Sequence, residues 1–145
     1  MYKHILIPTD GSKLSERAIK VGVKLARSLG ARVTGFMATP SFHIVAVDPI
    51  MTTYPLEEYR RDSKKLAQKS LAVVKRAAAA AGVRCMVENL ESDQPWEAII
   101  RAARRNRCDL IFMASHGRRG LAGLVLGSET IKVLTHSKTP VLVYR

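Results

Sequence analysis

Short apolar runs alternate with longer segments of helical period along the whole chain, and this alternation constrains the fold more than any other feature. Tyr2–Pro8, Val33–Ala38, Val83–Glu88, Leu110–Met113 and Val141–Tyr144 read as strands. Ile5, Leu6 and Ile7 run together in the first, and the fourth is apolar throughout, as strands covered on both faces require. Ser12 caps the first helix, in which Leu14, Ala18, Val21, Gly22, Leu25 and Leu29 recur at helical spacing, Lys13, Arg17, Lys20, Lys24 and Arg27 take the other side, and Gly30 marks the end. A second helix runs from about Glu57 to Ala81, with Leu66, Ser70, Val73, Val74, Ala77 and Ala81 on its apolar side and Gly82 as its stop. Leu90–Gln94 reads as a turn. Pro95 then opens a third helix, where its missing N–H costs nothing, and Trp96, Ile99, Ile100 and Ala103 form the buried stripe. Ser128–Thr135 is the fourth. Strands alternating with helices imply parallel pairing through right-handed crossovers. The expectation is one α/β domain over residues 1–145, a doubly wound, five-stranded, mainly parallel sheet with helices on both faces.

With 145 residues, 47% of them hydrophobic, the chain has material for a single core. No apolar run reaches the length of a membrane span, and the run near the N-terminus is too short for a signal peptide. Cys85 and Cys108 fit neither a disulfide framework nor metal-ligand spacing, so both are expected to pack as small apolar side chains in a reducing cytoplasm. The net charge of +12 favours anionic partners. The cations are spread over Lys13–Arg27, Arg60–Lys75, Arg101–Arg107 and Arg118–Arg119, however, and read as solvated helix faces. With 6% aromatic residues and no stacking platform, nucleic acid is not an expected partner, and neither is a membrane. Thr39–Glu58 is irregular, with Pro40, Pro49 and Pro55, yet apolar; a connection of this kind covers a ligand cleft or a partner chain.

Doubly wound sheets bind ligands beyond the carboxyl ends of their strands, where strand order reverses. That rule selects Thr9–Ser12 after the first strand and Ala114–Ser128 after the fourth. The second segment holds Gly117, Gly120, Gly123 and Gly127 directly before a helix. Glycine lets amides approach an anion, and a helix start adds free N–H groups and positive dipole. Ser128, as helix N-cap, adds a hydroxyl, and Arg118 or Arg119 supplies a phosphate-pairing guanidinium. Asp10 reads either as a ligand contact or as a turn residue entering the helix. Glu129 complements the helix dipole, and its charge repels phosphate unless it points away or meets a metal ion. His116 either meets phosphate or turns to the main chain. His4, His43 and His136 lack paired metal spacing, and Ser128 with His136 has no third partner for a triad.

Three segments, Ile5-Leu6-Ile7-Pro8-Thr9-Asp10-Gly11-Ser12, Asp109-Leu110-Ile111-Phe112-Met113-Ala114-Ser115-His116-Gly117 and Thr139-Pro140-Val141-Leu142-Val143, resemble the universal stress protein family. The ATP-binding branch of that family carries G-x-x-G-x9-G-[ST]; Gly117, nine residues and Gly127-Ser128 match it, with Ala114 in place of the first glycine. The resemblance implies a Rossmann-like fold of the adenine nucleotide alpha hydrolase type that binds ATP, commonly with Mg²⁺ or Mn²⁺. It implies that Pro8 and Thr9 line the adenosine wall and Asp10 contacts the adenosine. Ala38 would lie against adenine through main-chain groups and Ala114 would face the ribose. Gly117, Arg118, Gly127, Ser128 and Glu129 would surround the phosphates, with His116 beside them. It also implies a stress-response regulatory module in which occupancy changes the surface or the dimer state, and a homodimer formed by antiparallel pairing of Val141–Tyr144. A further protein partner goes unspecified. The rival reading, a slow ATP hydrolase or nucleotidyl transferase in the same pocket, lacks an evident general base, so no catalytic residue is assigned.

Overall fold

In the computed structural model, which describes residues 1–42, 55–118, 120 and 125–145, strands and helices follow one another as the sequence pattern requires. They are β1 (His4–Pro8), α1 (Lys13–Leu29), β2 (Arg32–Thr39), α2 (Leu56–Ala81), β3 (Cys85–Glu91), α3 (Pro95–Arg105), β4 (Leu110–Ala114), α4 (Ser128–His136) and β5 (Val141–Tyr144). All four pairings are parallel and the strand order is β3-β2-β1-β4-β5. The order reverses between β1 and β4, which places the switch point where the turn after β1 meets the loop after β4.

Burial on both sides of the sheet accounts for the continuous apolar strands. Ile5 and Ile7 pack with Ala18, Ile19 and Val23 of α1 and Val74 of α2 on one face. Leu6, Phe36 and Ile111 pack with Ala98, Ile99 and Ala102 of α3 and Val133 of α4 on the other. Each large side chain fully buried in this way contributes about 1.5–3 kcal/mol.

Four sequence expectations need correction. β3 begins at Cys85 and continues to Glu91, because Val83 still closes the α2 exit through its N–H to Ala78 O (2.9 Å). Leu90 and Glu91 are then paired with Ala38 and Thr39 instead of turning. The buried helix stripes are also rotated from the expected ones. α1 buries Ser15, Ala18, Ile19, Gly22, Val23 and Ala26 and leaves Val21 exposed. α2 buries Ala67, Ser70, Leu71, Val74 and Ala78 and leaves Leu66 exposed. The cause is close packing: a Cβ on Gly22 would come within 2.9 Å of Ile7 and Phe112, and one on Gly35 within 2.9 Å of Val74. Small residues let these helices settle on the sheet, so the face with least side chain goes inward. Trp96, expected in the core, is half-buried, its ring 4.8 Å from that of His136.

Cys108 is buried in the α3 side of the core, and burial together with the Asp109 charge pushes its thiol up to about 12. Burial also raises the half-buried Cys85. Because the thiolate is the reactive species, iodoacetamide at pH 8 is expected to leave Cys108 unmodified in the folded protein and to label it after unfolding in guanidinium. Rapid native labelling of Cys108, read by mass spectrometry of its peptide, would contradict this packing. Among the described residues no helix is long and apolar enough to cross a membrane.

Candidate functional site

The turn after β1 is locked by its own side chains. Thr9 N–H donates to Phe36 O (2.8 Å), Gly11 N–H donates to Thr9 Oγ1 (3.1 Å), and Thr9 Oγ1 lies 3.0 Å from Ser15 Oγ. Gly11 has φ +77°, a conformation that favours glycine. Asp10 Oδ1 accepts from Ser12 N–H (3.0 Å), and Ser12 Oγ accepts from Ser15 N–H (3.2 Å) as the α1 cap.

The other oxygen of Asp10 reaches across the switch point, where Oδ2 accepts from Arg118 N–H at 2.7 Å. A Cβ on Gly117 would collide with that same Oδ2, so a glycine precedes Arg118 for want of space. Burial pushes the Asp10 carboxyl up, but hydrogen bonds from Ser12, Arg118 and Ser15 outweigh burial and hold it below its ordinary value. The Arg118 guanidinium lies back over the first turn: a Cβ on Gly11 would come within 2.8 Å of its Nη2 and 2.7 Å of Ser70 Oγ.

Beyond β4 the loop is tied to the sheet. Ser115 N–H donates to Tyr144 O (2.7 Å), Gly127 N–H to Ser115 O (2.7 Å), and Thr130 Oγ1 to Ala114 O (3.2 Å). His116 Nδ1 lies 3.2 Å from Ser115 Oγ, and its ring occupies the space a side chain at Gly120 would need.

Two expectations about this loop are corrected. Gly127, not Ser128, is the N-cap of α4; its backbone is extended, and Ser128 is the first helical residue. The amides of the bend are also not all open to an anion. Those of Arg118, Gly120 and Gly127 donate to Asp10, Gly117 and Ser115. The first intrahelical bond of α4 runs from Ile131 N–H to Gly127 O (3.0 Å), so the N–H groups of Ser128, Glu129 and Thr130 have no backbone acceptor in the helix. The helix start therefore offers free N–H groups, and the positive end of the dipole adds to them. Arg119, Gly123 and residues 43–54 of the apolar segment, His43 included, lie outside the described residues.

Glu129 resolves its own ambiguity. Oε2 accepts from Trp96 N–H (2.9 Å) and Oε1 meets Lys132 Nζ (3.2 Å), so its carboxylate serves the start of α3, which has no side-chain cap of its own. It reaches the α4 start through its backbone alone. Sequence reasoning missed this link, and it missed Ser15, Ser115 and Thr130, buried hydroxyls around the two loops; Ser70, expected on the inner side of α2, is buried there. The Ser12-x-x-Ser15 spacing was a usable signal for the first of them; the rest carry none.

At the β2 end the register leaves a gap. Arg32 N–H donates to Lys3 O and Phe36 O accepts from Thr9, whereas Val33 and Thr39 pair on the β3 side, so even-numbered residues of β2 face β1. The β1 pairing ends at Pro8 opposite Phe36. Ala38, half-buried, thus presents its N–H and C=O beyond the end of β1, beside Pro8 and Thr9. Among the described residues no three His, Cys, Asp or Glu side chains gather as a metal site.

The universal stress protein family model matches residues 1–145. A universal stress protein of Methanocaldococcus jannaschii is 32% identical over 148 residues, covering all of this chain and 83% of that protein. The structure of a second protein of that archaeon, solved as a test case for assigning biochemical function, superposes with a TM-score of 0.82 at 27% identity, covering 99% of this chain and 95% of the other. The same fold recurs in a universal stress protein solved with cAMP (TM-score 0.74, 22% identity, 99% and 97% covered). It recurs again in an Arabidopsis thaliana family member with AMP bound (TM-score 0.69, 17% identity, 97% and 90% covered).

Proposed function

We propose that this chain, which belongs to the universal stress protein family, is a cytoplasmic regulatory module that holds ATP at the β1–β4 switch point. The observation that supports this most is the pairing of two open backbone surfaces at one sheet edge. The N–H and C=O of Ala38, unbonded among the described residues, offer a donor and an acceptor to a base, and the α4 start offers amides to an anion. β2 and β4 flank β1, so these surfaces stand about 10 Å apart, a span suited to a nucleotide. Pro8 and Thr9 wall the base between them, Ala114 faces the sugar, and Ser128 N–H, Glu129 N–H and the Arg118 guanidinium meet the phosphates, with Gly117 and Gly127 keeping the approach clear and His116 backing the loop. Asp10 holds the two loops in register beside the sugar. With the Glu129 carboxylate turned to α3, an Mg²⁺ or Mn²⁺ ion would be held chiefly by phosphate oxygens, with Asp10 as the nearby acid. Calorimetry is expected to give saturable ATP binding at one per chain, with nucleotide co-purifying on gentle isolation; no heat and no co-purified nucleotide would reject the reading. Sustained ATP turnover, lost in Ser128→Ala, would favour the hydrolase alternative instead.

The same reading includes a homodimer. Among the described residues β5 is an outermost strand with one unpaired edge, and Ile131, Leu134 and Leu142 are 49%, 42% and 40% exposed on α4 and β5. Light scattering is expected to give twice the 16.0 kDa chain mass; a monomer mass at every concentration would remove the dimer.

A further inference from the structure

The cations that the sequence scatters are gathered by the topology. α1 and α2 pack side by side on one face of the sheet, and together they carry twelve of the chain's 24 Lys and Arg against four acids, net +8 of its +12. The opposite layer, α3 with α4, is net +2. On α1 the row Lys13, Arg17, Lys20, Lys24, Arg27 is exposed throughout. At 100° per residue it occupies an arc of about 80° along about 21 Å of helix, opposite the buried side. At the carboxyl ends of both helices the row runs into a half-open cavity of about 220 Å³ between the helix exits, with Arg27, Arg32 and Arg84 in its lining. Val33 is in register with Cys85 and its N–H donates to Arg84 O, so Arg32 of β2 and Arg84, just before β3, stand side by side. None of the three has a carboxylate partner among the described residues. The helix exits turn their negative dipole ends toward these arginines and help hold them together, and all three are exposed, so they can meet an anion from the solvent side.

We infer that the α1/α2 layer docks the sugar–phosphate backbone of double-stranded nucleic acid without reading its sequence. A duplex segment as long as this row presents about a dozen negative charges, matching the layer's cations in number. Single strands are disfavoured because binding them draws on aromatic stacking: α1 has no aromatic residue, and α2 has Tyr59, whose ring packs on Phe42 and whose hydroxyl donates to Pro40 O. A bilayer is disfavoured because the exposed large apolar residues described on the two helices are few, Val21, Leu56 and Leu66, each only 37–38% exposed. The cavity arginines seize one phosphate in fork geometry while the lysine row follows the strand.

Fluorescence anisotropy with a labelled 20-base-pair DNA of arbitrary sequence tests this on the full chain. With about five phosphates neutralised, affinity is expected to fall about 500-fold between 50 and 200 mM KCl. The triple variant Lys20→Glu, Lys24→Glu, Arg84→Glu is expected to bind at least tenfold more weakly at 50 mM, with a shallower salt slope and an unchanged melting curve by circular dichroism. Arg101→Glu with Arg104→Glu on α3 is expected to stay within threefold of the unaltered chain. Three results would overturn the inference: no DNA binding at 50 mM KCl, equal loss from the α3 variant, or equal or tighter retention by polyglutamate or by vesicles containing 30% phosphatidylserine.

Discussion

A Gly117→Val variant is expected to bind ATP at least tenfold more weakly than the unaltered chain, by calorimetry at neutral pH. The demand at this position is for space, since positive φ among the described glycines is confined to Gly11, Gly30 and Gly82. A Cβ at 117 falls on Asp10 Oδ2, and a branched side chain cannot turn away from it. The carboxylate must then leave Arg118 N–H, and the loop after β4 loses its tie to the turn after β1. Overpacking of this kind costs about 1–3 kcal/mol, and about 1.4 kcal/mol of misalignment suffices for the tenfold loss. Gly127→Val acts on the same loop more weakly, because its Cβ meets His116 Cα and Cβ at 3.2 Å. Gly30→Ala is the control. It strains a left-handed residue at the other edge of the sheet, with nothing within 4 Å of its Cβ, so stability falls and affinity stays. A folded Gly117→Val protein with undiminished ATP affinity would separate the Asp10–Arg118 tie from nucleotide binding.

How much of this was legible in the sequence depends on the range of the interactions. Strand and helix order came from local periodicity, and Ser12, Gly30 and Gly82 behave as their local chemistry dictates. The switch point followed, because crossover handedness and strand order leave few alternatives. What failed was decided between distant segments. By size alone Val21 and Leu66 belong to the core, whereas Gly22 against Phe112 and Gly35 against Val74 set which helix face approaches the sheet. Serine is a good cap, which favours Ser128 locally, but the hydrogen bond between Gly127 N–H and Ser115 O moves the helix entry back one residue. Glu129 stayed ambiguous because its partner, Trp96 N–H, lies 33 residues away. The basic layer was invisible for the same reason. Each helix alone looks like an ordinary solvated face, and their adjacency is a property of topology.

Asp10→Ala is expected to lower unfolding free energy by about 2 kcal/mol at pH 7, since two backbone donors lose a charged acceptor and water at the half-buried mouth recovers part of the loss. Asp10→Asn is expected to be nearly as damaging: its single amide oxygen can serve Ser12 N–H or Arg118 N–H, and its NH₂ then faces the remaining donor. The pH dependence identifies the mechanism. The folded-state pKa of Asp10 is lowered, so the carboxylate stabilises the fold fully above its unfolded value of about 3.9 and loses that contribution as pH falls through the lower folded value. The stability gap between the unaltered chain and Asp10→Ala is therefore expected to stay constant from pH 7 to about pH 5 and to narrow below pH 4. Urea unfolding at pH 7, 5 and 3 measures it. A gap as wide at pH 3 as at pH 7 would mean that the variant damages packing and that the charge across the switch point contributes nothing. A gap that closes on acidification ties the two loops together through one ionised oxygen pair, and the proposed ATP site then depends on a contact between residues 108 positions apart.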